Sequence, residues 1–243
     1  MARQLPLDLP HRPSHSRDDL VLSAANRLAV EAVDAWPGWS HPVLFVSGPP
    51  GSGKSHLAAV WAGQAGAVSA GRDSVGAILS ASDFRAVVDD VDRGTLGEPA
   101  LFALVNAARL GGGSLLLTSR VPPAAMRIAT ADLRSRLAAA ATAQLGAPDD
   151  ALLTGVLAKL FADRQIEIEA AALGYLVARM ERSLDAARRI VAAIDREALA
   201  AKRRVTRPLV RRVLEEGDGF SAEKSMSSWR LPPSLGGGRR FGE

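Results

Sequence analysis

Residues Gly48-Pro49-Pro50-Gly51-Ser52-Gly53-Lys54-Ser55 fit the spacing G-x-x-x-x-G-K-[ST] at every fixed position. The chemistry such a loop supports is capture of a nucleotide's phosphates. Gly51 and Gly53 let the backbone turn its N–H groups toward a β-phosphate at a helix N-terminus, Lys54 can bridge β- and γ-oxygens, and the Ser55 hydroxyl can hold Mg²⁺. The chain has 4 lysines (positions 54, 159, 202 and 224) against 26 arginines, so a lysine in this slot is a selective choice.

A second chemical element lies about 35 residues downstream, where the apolar run Ala86-Val87-Val88 ends in Asp89-Asp90-Val91-Asp92. Adjacent carboxylates at a strand end point to different sides, so Asp89 can enter the Mg²⁺ shell while Asp90 orients a water toward the γ-phosphate. Arg134 and Arg136 in Asp132-Leu133-Arg134-Ser135-Arg136-Leu137 are about 200° apart on a helix, which predicts different jobs for them. Leu133 and Leu137 share the apolar face. The four histidines, His11, His15, His41 and His56, show no metal-ligand spacing.

These groups need elements that hold them. Val43-Leu44-Phe45-Val46 reads as a buried strand entering the loop, and Leu57-Ala58-Ala59-Val60-Trp61-Ala62 as the helix leaving it. Helical spacing from Asp18 to Trp36 ends at Pro37-Gly38. Ala67-Val68-Ser69 and Gly76-Ala77-Ile78-Leu79 read as short strands, Ala100 to Leu110 as a helix stopped by three glycines, and Ser114 to Ser119 as another buried strand. Alternation of this kind predicts an α/β fold, a parallel sheet with flanking helices and its ligand at the carboxyl ends of the strands. After Gly146-Ala147-Pro148 only helices follow: Asp150 to Asp163 capped by Asp149 or Asp150, Ala170 to Met180, Leu184 to Arg203, and Thr206 to Glu216. The third carries the stripe Leu184, Ala187, Val191, Ile194.

At 243 residues and 47% apolar content the chain can bury a sizeable core. No run reaches the ~18 apolar residues of a membrane span, and no signal-peptide core is present, so a cytoplasmic location without a membrane partner is expected. With no cysteine, thiolate chemistry is excluded. The net charge is +4. Residues 151–216 hold 13 Lys/Arg against 9 Asp/Glu, and this basic excess is read as either solvated arginine-rich faces or a face for nucleic acid or an acidic partner.

Four segments are expected: an arm over 1–17, a nucleotide-binding core over 18–147, a small helical domain over 148–216, and a glycine-rich, disordered tail over 217–243. Inside the proline-rich arm, Gln4-Leu5-Pro6-Leu7-Asp8-Leu9 places leucines on one side of an extended segment, a pattern suited to docking on a partner.

Together these motifs resemble the AAA+ ATPases, within them the DnaA-related branch and its Hda family, across roughly residues 18 to 215. The residues that carry the resemblance are Gly48-Pro49-Pro50-Gly51-Ser52-Gly53-Lys54-Ser55-His56 for Walker A and Val87-Val88-Asp89-Asp90-Val91 for Walker B. Leu117-Thr118-Ser119 followed by Pro122-Pro123 resembles sensor 1, Leu133-Arg134-Ser135-Arg136-Leu137 resembles box VII with its arginine finger, and Met180-Glu181-Arg182-Ser183-Leu184-Asp185 is similar to the sensor 2 segment.

The resemblance implies ADP or ATP with Mg²⁺ as cofactors, Ser55 and Asp89 as metal-binding residues, and Arg182 as a contact to this chain's own nucleotide. It implies that Gln4, Leu5, Leu7 and Leu9 bind the replicative (DNA polymerase III β) sliding clamp, making DNA contact indirect. It further implies that Arg136 acts in trans to stimulate hydrolysis of ATP on DnaA, restraining re-initiation near the nucleoid. Where the family has an acid after Leu-Thr-Ser, this chain has Arg120, so its own hydrolysis is expected to be weak. An autonomous ATPase or helicase loader is the alternative, and a homo-oligomer is left open.

Overall fold

The computed structural model describes residues 17–201 and 204–217, and Gln4, Leu5, Leu7, Leu9 and the segment 218–243 lie outside the described residues. The phosphate-loop strand β1 (Val43–Ser47) is buried along its whole length, as a strand must be when helices cover both faces of a parallel sheet. It is followed by α2 (Lys54–Ala65), β2 (Val68–Ser69), α3 (Val75–Ser80), β3 (Phe84–Val88), α4 (Glu98–Ala107), β4 (Gly113–Ser119), α5 (Ala131–Ala138) and β5 (Ala141–Gln144); α1 (Arg27–Asp34) precedes it. All five strands are parallel, in the order β2-β3-β4-β1-β5.

Because strand side chains alternate between faces, the sheet feeds two cores. Val43, Phe45, Ala86, Val88, Leu115 and Leu117 pack against Leu101 and Leu104 of α4 and Leu133 and Leu137 of α5. Leu44, Val46, Val87 and Leu116 pack on the opposite face against Ala29 and Val33 of α1 and Leu57 and Trp61 of α2. A further core belongs to α6 (Asp150–Ala162), α7 (Ala170–Val177), α8 (Leu184–Ala201) and α9 (Arg207–Gly217), where the expected stripe Leu184, Ala187, Val191 and Ile194 is buried. Asp149 caps α6, its carboxylate accepting from the Leu152 amide at 2.7 Å. Among the described residues no helix is long and apolar enough to cross a membrane.

Three sequence expectations change. Gly76 to Leu79 is part of a helix, α3, rather than a strand: β2 and β3 are parallel neighbours, so the chain between them must cross back, and a short helix does so with Ile78 in the core. The helical spacing from Asp18 to Trp36 yields α1 only over its second half. Ahead of it the Asn26 side chain accepts from the Ser23 amide and donates to the Val21 carbonyl, both at 2.8 Å, which closes a turn in place of a helix. Strand β5 was not anticipated, because the alanine-rich run around it favours helix by propensity while its pairing to β1 is purely tertiary.

Candidate nucleotide-binding site

The loop between β1 and α2 is pinned by the sheet. Gly48 N–H donates to Ser119 O at 3.1 Å, and a side chain at Gly48 would bring a Cβ to 2.6 Å from the Leu145 carbonyl oxygen. Gly51 and Gly53 take the left-handed backbone (φ 69° and 97°) that glycine adopts without steric cost. Lys54 lies buried at the start of α2 and donates to the carbonyls of Gly48 and Pro49, each at 2.9 Å. Burial pushes its ammonium below the usual lysine range, with Asp90 opposing and Arg120 reinforcing the shift. Ser52 Oγ is buried with no hydrogen-bond partner among the described residues. Turned backbone, buried cation and an unmatched hydroxyl together fit a chain of phosphates. Lys54 would bind the β- and γ-oxygens, and Ser55, exposed at the first turn, would hold Mg²⁺ together with Asp89.

The acidic strand end stands beside this loop because β4 separates β3 from β1, with Val88, Leu117 and Phe45 in register. One residue further, the fully buried Thr118 ties the Asp89 carboxylate to the Asp90 backbone: its hydroxyl donates to Asp89 and accepts from the Asp90 amide at 2.9 Å. Asp90 sits in the left-handed region (φ 52°). Burial first, and then the neighbouring Asp89, push its carboxyl above the usual range. Arg120 follows β4; its backbone amide donates to Asp92 Oδ1 at 3.0 Å and its side chain is exposed.

The start of α8 closes over the loop. Ser183 packs on Gly51, and Leu184 N–H donates to Gly51 O at 2.8 Å. Between loop, α6 and α8 runs a cavity of about 90 Å³ lined by Val21, His56, Leu145, Lys159, Leu184 and Arg188 among others. That is smaller than the roughly 300 Å³ at which small-molecule pockets begin. Arg182 faces away from the loop, bonded to Asp150 at 2.6 Å and to the Pro148 carbonyl at 3.2 Å. Arg188, one turn into α8, is the arginine of this segment that lines the cavity.

Arg136 occupies a different place. Its guanidinium donates to Asn106 and lies 4.8 Å above the centroid of the Phe102 ring, both on α4. Glu98, at the head of α4, accepts from the Ala129 and Thr130 amides at 2.8 and 3.1 Å and so fixes where α5 begins. Those bonds hold its carboxyl below the usual range. Arg134 instead reaches the Ile128 carbonyl, at 3.2 Å.

Residues 150–214 match the family model described as the Hda lid domain. The fold is similar to domain III of the Thermotoga maritima replication initiation protein DnaA, with a TM-score of 0.70 at 18% identity, covering 86% of this chain and 98% of that one. The lid segment is therefore similar to the Hda lid, and the fold as a whole is that of DnaA domain III. It is also similar to the Thermotoga maritima RuvB Holliday junction branch migration motor (TM-score 0.66, 19% identity, 84% of this chain and 72% of that one). An uncharacterized protein of Haemophilus influenzae is 26% identical over 236 residues, 88% of this chain and 99% of that protein.

In this chain the sheet brings Lys54, Asp89 and Asp90 together, while Arg136 and Arg182 stand apart on other elements. Sequence reasoning passed over Thr118 as the link from the Asp89 carboxylate to the Asp90 backbone, Ser183 as the contact on the loop, and Arg188. The spacing Leu184, Ala187, Val191 held a clue to the last, since Arg188 follows Leu184 by four positions and lies beside it on α8.

Proposed function

We propose that this protein is a nucleotide-dependent regulator of replication initiation, with residues 18–147 as the nucleotide-binding core, 148–216 as the lid and Gln4, Leu5, Leu7 and Leu9 as a tether to the sliding clamp. In this reading it stimulates hydrolysis of ATP bound to DnaA and works in the cytoplasm beside the replisome. The observation that carries it is the placement of Arg136. Its helix packs on the face of the sheet opposite α2, and the guanidinium is held on α4 by Asn106 and Phe102. A cation presented there serves a neighbouring molecule's phosphates better than its own. Supplied in trans, such an arginine is worth ~10³ to 10⁵ in rate. Nucleotide bound by Lys54 and Ser55 would then set the lid and core in the arrangement that presents it.

The deciding experiment is a reconstituted assay of DnaA-bound ATP with this protein and clamp-loaded DNA, each component omitted in turn. Arg136→Ala is expected to keep nucleotide binding and lose stimulation; full stimulation by that variant would place the finger elsewhere. Leu5→Ala with Leu7→Ala is expected to release the protein from the clamp.

One observation favours a second reading, an autonomous ATPase: Asp89 and Asp90 are both present and both held by Thr118. Steady ATP turnover by the purified chain, with or without single-stranded DNA, would support that reading over the first.

A further inference from the structure

The lid carries a group of arginines that the nucleotide site does not use. Tyr175, the chain's only tyrosine, is half-buried on α7. The Arg179 guanidinium, one turn later, lies 4.0 Å from the centroid of its ring, and that of Arg207, the first residue of α9, lies 4.8 Å from it. Arg204 is exposed nearby in sequence, next to Val205, which is buried and bridged to Ile168. The bridge fixes this connection against the lid.

These arginines differ from most others in the lid in lacking a counter-ion. Arg164 pairs with Asp195, Arg182 with Asp150, Arg189 with Glu181, Arg211 with Glu215 and Arg212 with Glu197. Among the described residues, Arg179, Arg204 and Arg207 make no ion pair with a carboxylate, and the sequence holds no acidic residue between Lys202 and Leu214. Two guanidiniums gathered on one aromatic ring repel each other. The ring compensates in part and also holds both side chains extended, which lowers the entropy lost when they engage a ligand.

A guanidinium presented in this way suits phosphate, whose oxygens accept its paired N–H groups. A protein partner would in addition require apolar anchors, and among the described residues none of the exposed large apolar side chains lies on α7 or α9. We propose that this face of the lid binds the phosphodiester backbone of nucleic acid directly and without sequence preference, through Arg179 and Arg207, with Tyr175 as the positioning residue. The proposal stands on observations separate from those behind the role of Arg136. It revises the expectation that DNA is reached only through a clamp.

The test measures fluorescence anisotropy of the full chain with a labelled duplex, and with a single strand of equal length, across a salt series. Wild type is expected to bind both at low salt and weaken linearly in log salt. Arg179→Ala with Arg207→Ala is expected to weaken binding about equally for different sequences and to reduce the salt slope on the duplex by about 2, at ~0.9 per phosphate contact. Arg179→Lys with Arg207→Lys keeps the charge and should keep most of that slope. Arg211→Ala, which removes an arginine already paired, should change it little. Both target side chains are exposed, so thermal melting and fluorescent-ADP binding should match wild type in the double variant. Absence of binding by wild type at low salt overturns the proposal, as does an unchanged slope in the double alanine variant. Equally tight binding of an acidic polypeptide would reassign the patch to a protein partner and overturn it too.

Discussion

The Leu184 amide donates to the Gly51 carbonyl at 2.8 Å, so the first residue of α8 is hydrogen-bonded to the tip of the phosphate loop. The lid is thereby joined to the loop whose backbone is turned to receive phosphates. Gly51 has φ 69°, and a Cβ there would run into Ser183. Gly51→Ala is therefore expected to destabilise the protein by about 1–2 kcal/mol from the left-handed backbone alone, with more from the displaced lid. Urea denaturation should show the loss, and fluorescent-ADP titration should show weakened binding. A variant with wild-type stability and affinity would mean that the loop and α8 move independently.

Arg136 is tied to α4 by Asn106 and Phe102, and that tie can be tested apart from the arginine itself. Asn106→Ala removes one hydrogen bond and leaves the charge. Stimulation of DnaA's ATPase is expected to fall about tenfold, equivalent to about 1.4 kcal/mol, against the much larger loss in Arg136→Ala. Nucleotide affinity should stay unchanged, because neither residue touches the loop between β1 and α2. Equal defects in the two variants would show that Asn106 acts by holding up the fold.

Most of the nucleotide site was legible before any coordinates, since the loop spacing, the strand ahead of it and the acidic strand end are local in sequence. Legibility ended where tertiary pairing decides. The β5 run carries no strand signal of its own and stays unassigned until Ala143 and Leu145 are seen packing beside β1. Gly76 to Leu79 reads as strand until the parallel pairing of β2 with β3 demands a crossover. Within the 180–185 segment Arg182 is the one arginine, and the sequence alone gives it the nucleotide contact and leaves Arg188 unmarked. Only the start of α8 at Leu184 shows that Arg182 precedes the helix and turns to Asp150, whereas Arg188 follows Leu184 into the cavity.

Arg120 stands at the position where the sequence resemblance leads one to expect an acid, and its charge acts on Lys54 and Asp90. A cation there cannot accept a proton from the attacking water or align its lone pair. Arg120→Asp is expected to raise the chain's own ATP hydrolysis at least tenfold, within the 10² to 10⁴ that a positioned acid–base group contributes. Single-turnover hydrolysis with excess enzyme measures this, with Asp90→Asn added as a second change to show that any gain runs through the strand-end carboxylates. No gain in Arg120→Asp would place the block on turnover elsewhere, for example in the closure of Ser183 over the loop.

Asp149 offers a pH-dependent test of how the lid is joined to the core. Its carboxylate caps α6 through the Leu152 amide, and that bond holds its pKa below the usual aspartate range. A depressed folded-state pKa means the stabilisation is fully present above the ordinary aspartate value and is lost as pH falls through the depressed one. Asp149→Ala is expected to cost about 1 kcal/mol at neutral pH, the usual worth of such a cap, and progressively less under acid. Asp149→Asn keeps an acceptor at the same place and should retain most of the stability while removing this pH dependence. Thermal melts of the three proteins from neutral to acid pH make the comparison. An Asp149→Ala defect that persists undiminished below the aspartate range would show that the residue works through packing against α6 and not through its charge.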